Sequence, residues 1–150
     1  MARGRLEFFC REPQDVMTAV IAAVLPVFRQ SITSAWVDAI ADGGWNDPQR
    51  PDVAELLAVE QRLVNAGKRR KATGTGIDLD LTHDDEYALF TRLAAYSINA
   101  EAWADAGEVF SASDTGDHAW FALTSAEAAD ATSRLAEAGY AFEDVLTFHK

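Results

Sequence analysis

The amino-acid sequence predicts an α+β fold: a small mixed or antiparallel sheet of four to five strands, with helices mainly on one face. Three observations predict it. Apolar and polar side chains alternate with a period of two at the start of the chain and again in its second half, as half-covered strands do. Between these runs stand helical stripes with their own start and stop signals. No Pro- or Ser-rich linker divides the 150 residues, so one domain spanning 1–150 is expected. With 49% hydrophobic and 25% charged residues, such a chain can build a core without a metal or disulfide.

The elements follow in order. Arg5 to Cys10 reads as a strand, with Leu6, Phe8 and Cys10 on one face and Glu7 and Phe9 on the other. Pro13-Gln14-Asp15 opens a helix, since Pro suits a first turn and Asp complements the dipole. Val16, Val20 and Val24, with Met17, Ile21 and Leu25, make that helix apolar nearly all round and therefore central. Pro26 should kink it or end it near Leu25. Residues 31–42 fit either a helix or a strand, and the helix is the preferred reading. Gly43-Gly44 and Pro48 mark a loop, and Pro51-Asp52 starts the clearest helix of the chain. Its stripe of Val53, Leu56, Leu57, Leu63 and Val64 is broken only by Glu60, and Gly67 stands at the C-terminal cap position.

The second half contains a weak echo. Thr82-x-x-Asp85 and Thr124-x-x-Glu127 each follow an apolar extended run and precede Arg-Leu-Ala at the same interval, suggesting two strands that feed capped helices. Between them Glu108 to Ser113 and His118 to Leu123 flank Asp114-Thr115-Gly116-Asp117, a hairpin signature. An alanine-rich helix over Ser125 to Ala138 follows. Tyr140 to Phe148 then offers a last strand, placed beside the first.

The formal charge of −11 is unevenly spread. Through residue 71 there are 10 basic and 9 acidic residues, and beyond it 3 against 15. That balance argues against a general nucleic-acid phosphate binder. Five acids fall within nine positions, Asp78, Asp80, Asp84, Asp85 and Glu86, and form the candidate partner-binding patch. A patch of one sign speeds encounter with a partner of the other. Lys68, Arg69, Arg70 and Lys71, just before Thr73-Gly74-Thr75-Gly76, form a candidate anion site, although a phosphate loop would place its Lys after the glycines.

Paired carboxylates with a histidine can also do acid–base work or hold a cation. Asp78, Asp80, His83, Asp84 and Asp85, with Asp114, Asp117 and His118, would serve a small hydrolytic, metal-assisted enzyme if they converged. No nucleophile elbow, dinucleotide fingerprint or metal-ligand spacing accompanies them. The expected function is therefore that of a non-catalytic, acidic interaction protein with a basic protein partner, in a neutralising (immunity-like) or adaptor role. No cofactor or metal is expected, nucleic acid is disfavoured, and self-association stays open.

Cys10 is the lone cysteine and reads as a small buried hydrophobe in a reducing compartment. Val16 to Phe28 is too short to span a bilayer. Arg3, Arg5 and Arg11 precede it as in a secretion signal, but Glu7, Glu12 and Asp15 interrupt them, so a cytoplasmic location is expected.

Overall fold

The computed structural model describes residues 4–149. Its frame is an open antiparallel sheet of seven strands: β1 (Leu6–Cys10), β2 (Ile32–Val37), β3 (Ile77–Asp78), β4 (Asn99–Ala104), β5 (Gly107–Ser113), β6 (His118–Leu123) and β7 (Thr147–His149). Their order across the sheet is β3-β2-β4-β5-β6-β1-β7. The helices are α1 (Gln14–Val24), α2 (Arg50–Asn65), α3 (Asp84–Leu93), α4 (Ser125–Glu137) and the single turn α5 (Phe142–Val145). The α+β expectation is met, with more strands than the four to five expected.

One face of the sheet meets the helices. Phe8 and Cys10 from β1, Ala100 and Ala102 from β4, Phe110 and Ala112 from β5, and Ala119 and Phe121 from β6 all lie in the core. The alanines on this face leave room for a central helix. Helix α1 takes it, burying Met17, Val20, Ile21 and Val24 and touching both α3 and α4. Pro26 ends that helix as expected: α1 stops at Val24 and a 3-10 turn over Leu25–Val27 follows. Among the described residues no helix is long and apolar enough to cross a membrane.

Several elements fall where the sequence placed them. Strand β1 begins one residue after Arg5, and β7 pairs with it through Phe8 and Phe148, although the single turn α5 takes up part of the stretch expected to be strand. The hairpin β5–β6 turns through Asp114 and Thr115, both with positive φ, then Gly116 at φ 99. A Cβ at Gly116 would stand 2.5 Å from the Gln14 side chain, whose amide donates to the Thr115 carbonyl and ties the turn to α1.

Three expectations are corrected. Residues 31–42 supply β2 rather than a helix, because Ala35 and Val37 point into the core while Ser34 and Trp36 point away. The strand expected through Leu81 stops at Asp78, so Asp80 leaves the sheet. The first capping motif does not form: His83 is the N-cap of α3, and the Thr82 hydroxyl instead donates to Asp80 at 2.6 Å. The second forms in full. Thr124 accepts from the Glu127 amide and the Glu127 carboxylate accepts from the Thr124 amide.

Candidate functional site

The opposite face of the sheet carries no helix among the described residues, and its side chains follow from strand parity. Register places Asp78, Trp36, Glu101, Ser111, Trp120 and Phe9 in one row across six strands. The adjacent row contains Ser34, Trp103 and Glu108, with a bulge after Ala102 bringing Trp103 opposite Glu108. None of the three tryptophans on this face belongs to the core cluster, whereas Trp45, from the loop, packs against it.

The Trp36 and Trp103 rings stack with centroids 6.3 Å apart and planes 21° from parallel. The Trp103 indole nitrogen is closed off from solvent and has no hydrogen-bond partner among the described residues. Trp120 donates its indole N–H to Glu7 at 3.1 Å. Between the tryptophans, Asn99 donates to Glu101 at 3.2 Å. Burial, followed by hydrogen bonding and charge repulsion from Glu101, raises the Glu108 carboxyl to about 7. Glu108 therefore holds its proton up to near neutrality. At the β1 side the face changes sign: Phe9 contacts the His118 and His149 rings, and the Arg11 guanidinium lies 5.1 Å over it.

The acidic patch lies at the β3 edge. Asp78, Asp80, His83 and Glu86 line a groove of about 670 Å³ with Lys68, floored by Ile32, Leu63, Leu79 and Leu81. His83 lies 3.2 Å from Glu86 and 3.6 Å from Asp80. Hydrogen bonds from the Thr82 hydroxyl and amide hold the Asp80 carboxyl below its usual range. Asp84 and Asp85 stand exposed on the first turn of α3, where the helix dipole favours them. Arg29 pairs with Asp84 at 2.8 Å while lying over the Tyr87 ring, so the patch is partly neutralised from within. Asp78 belongs both to this groove and to the open sheet face, which makes the two surfaces continuous.

The remaining candidates do not join them. Asp114, Asp117 and His118 occupy the β5–β6 turn, where His118 meets Asp117 at 2.9 Å. Four strand spacings, about 19 Å, separate β6 from β3. The turn is also at the other end of the strands, beside Asn99 rather than Ala104. Among the described residues no group of three His, Cys, Asp or Glu is arranged to hold a metal.

The four cations are also divided. Arg69 turns inward, pairing with Glu60 at 3.0 Å and donating to Thr73, Thr75 and Gly76. The Gly74 and Gly76 amides, which could cradle a phosphate, are taken by the carboxylates of Glu60 and Asp38. Lys68, Arg70 and Lys71 remain exposed, with Lys68 lining the acidic groove. Glu60 breaks the apolar stripe of α2 because it is the buried partner of Arg69.

The acid count in the sequence points to the groove, but the tryptophan–carboxylate face has no local signal. Glu101 and Glu108 are seven positions apart and meet only through the β4–β5 pairing. Compared with known protein families, curated proteins and solved structures, the chain matches none.

Proposed function

We propose that this chain is a non-catalytic binding protein whose open sheet face receives a basic protein partner, in a neutralising or adaptor role. One observation supports this above the others: Trp36, Trp103 and Trp120 are interleaved with Asp78, Glu101, Glu108 and Glu7 on a face that no helix covers among the described residues. Tryptophans are the commonest anchors of protein interfaces, since each removes a large area from water at small entropic cost. Carboxylates among them select a basic partner and steer its approach. The groove acids, joined to the face through Asp78, extend the same field towards α3. The alternative of a small hydrolytic enzyme has less support, since its Asp and His candidates are divided between opposite ends of the sheet.

The test is capture on the immobilised chain, then binding measurements with the purified partner. The proposal expects a protein with a basic surface whose affinity falls steeply between about 50 and about 500 mM salt. Trp103→Ala and Asp78→Lys should each abolish capture. A partner indifferent to salt and to both substitutions would overturn the docking face, and turnover of a small substrate without any partner would overturn the non-catalytic role.

A further inference from the structure

On the reading that the open face receives a basic partner, we propose that the Glu101–Glu108 pair beside Trp36 and Trp103 is a subsite for one arginine guanidinium carried by that partner. The placement argues for it. Trp36 stands directly opposite Glu101 and Trp103 directly opposite Glu108, so a diagonal pair of stacked indoles runs beside a diagonal pair of carboxyls. A guanidinium is planar and can satisfy a carboxylate with a fork of N–H donors while stacking on an aromatic ring. An ammonium offers no such plane, so arginine fits this arrangement better than lysine.

Several of the chain's own arginines already have carboxylate partners. Arg5 is paired with Glu127, Arg29 with Asp84 and Arg92 with Asp52. Among the described residues neither Glu101 nor Glu108 forms an ion pair, so no described arginine occupies the pair.

Occupancy has a proton consequence. Unoccupied, Glu108 keeps its proton below about pH 7. A guanidinium favours both carboxylates ionised, and that proton then leaves to solvent. The groups facing Glu108 are Glu101 and Trp103 from β4, with Asn99 bonded to Glu101, while the neighbouring β2 residues Ser34 and Trp36 are uncharged. From β6 the face presents Trp120, bonded to Glu7. Affinity should accordingly rise about tenfold from pH 6 to pH 8, as a carboxyl titrating near 7 gives up its proton.

The probe is amidated tri-arginine, with tri-lysine and tri-citrulline as controls, titrated into the full chain and followed by the indole N–H signals. Tri-arginine should move the Trp36 and Trp103 signals, tri-lysine should do so more weakly, and tri-citrulline should not. Glu108→Gln keeps a hydrogen bond to Glu101 and should leave the amide spectrum native. It should weaken tri-arginine binding and flatten its pH dependence. Equal binding and equal pH dependence in Glu108→Gln would overturn the subsite. Signals moving only along Asp78 to Glu86 would overturn it while leaving the basic-partner reading in place. No movement anywhere would overturn both.

Discussion

Replacing Glu108 by glutamine should stabilise the protein, by an amount that grows as pH rises from about 4.5 to about 7 and then stays constant. The carboxyl titrates at about 7 in the folded chain against an ordinary 4.5, because burial and then Glu101 disfavour its charge. A folded-state value above the unfolded one means that the native protein binds the proton more tightly between these limits. The group's contribution is therefore present at low pH and lost as pH rises through about 7. Taken in full, the rise corresponds to about 3 kcal/mol, and solvent screening of this part-exposed group reduces that to about 1–2 kcal/mol. Glutamine mimics the protonated acid at every pH. Glu108→Gln should thus gain about 1–2 kcal/mol over wild type at pH 8, or about 2–8 °C in Tm, and nearly nothing at pH 5. Urea unfolding followed by tryptophan fluorescence at both pH values, with an unchanged m-value, measures this directly. A variant less stable than wild type at pH 8, or a difference equal at both pH values, would refute the assignment of a strained carboxyl pair.

Other outcomes follow from the same contacts. Arg69→Met should cost about 3–5 kcal/mol in urea unfolding, because it strands the Glu60 carboxylate, whose side chain is 2% exposed, with only the Gly74 amide. Thr124→Ala should cost about 1 kcal/mol through the lost capping box, while Thr82→Ala, at a cap that never forms, should stay within about 0.5 kcal/mol by the same measurement. Burial pushes the Cys10 thiol up to about 12, and its side chain is wholly enclosed. A thiol reagent at pH 8 should leave the native protein unlabelled and react with one equivalent once the chain is unfolded in guanidinium.

What could be read from the sequence was what local chemistry decides. Strand β1, the end of α1 at Pro26, the Gly67 cap, the β5–β6 turn and the Thr124 capping box each depend on a few adjacent residues. The failures lie where distant partners decide. Ile32 to Val37 already holds strand-favouring Ile32, Thr33, Trp36 and Val37, and pairing with β4 and β3 decides its state. Strand β4 escaped notice because Ala100 and Ala102 are weak strand formers, kept small to admit the helix layer. Thr82 and Thr124 share a motif, but Asp80 competes for the Thr82 hydroxyl and nothing competes for that of Thr124. At the candidate site, the acid run from Asp78 to Glu86 was visible as composition. The tryptophan–carboxylate face needed the strand order, since its members come from six strands and a bulge.

The claim that a basic partner docks on the helix-free face of the sheet is tested most directly by mapping a bound partner on the chain by amide and indole shift perturbation. The account predicts that the largest changes fall on Trp36, Trp103, Trp120, Glu101 and Asp78, and that added salt reverses them. Changes confined to α1 and α4, on the far side of the sheet, would contradict it.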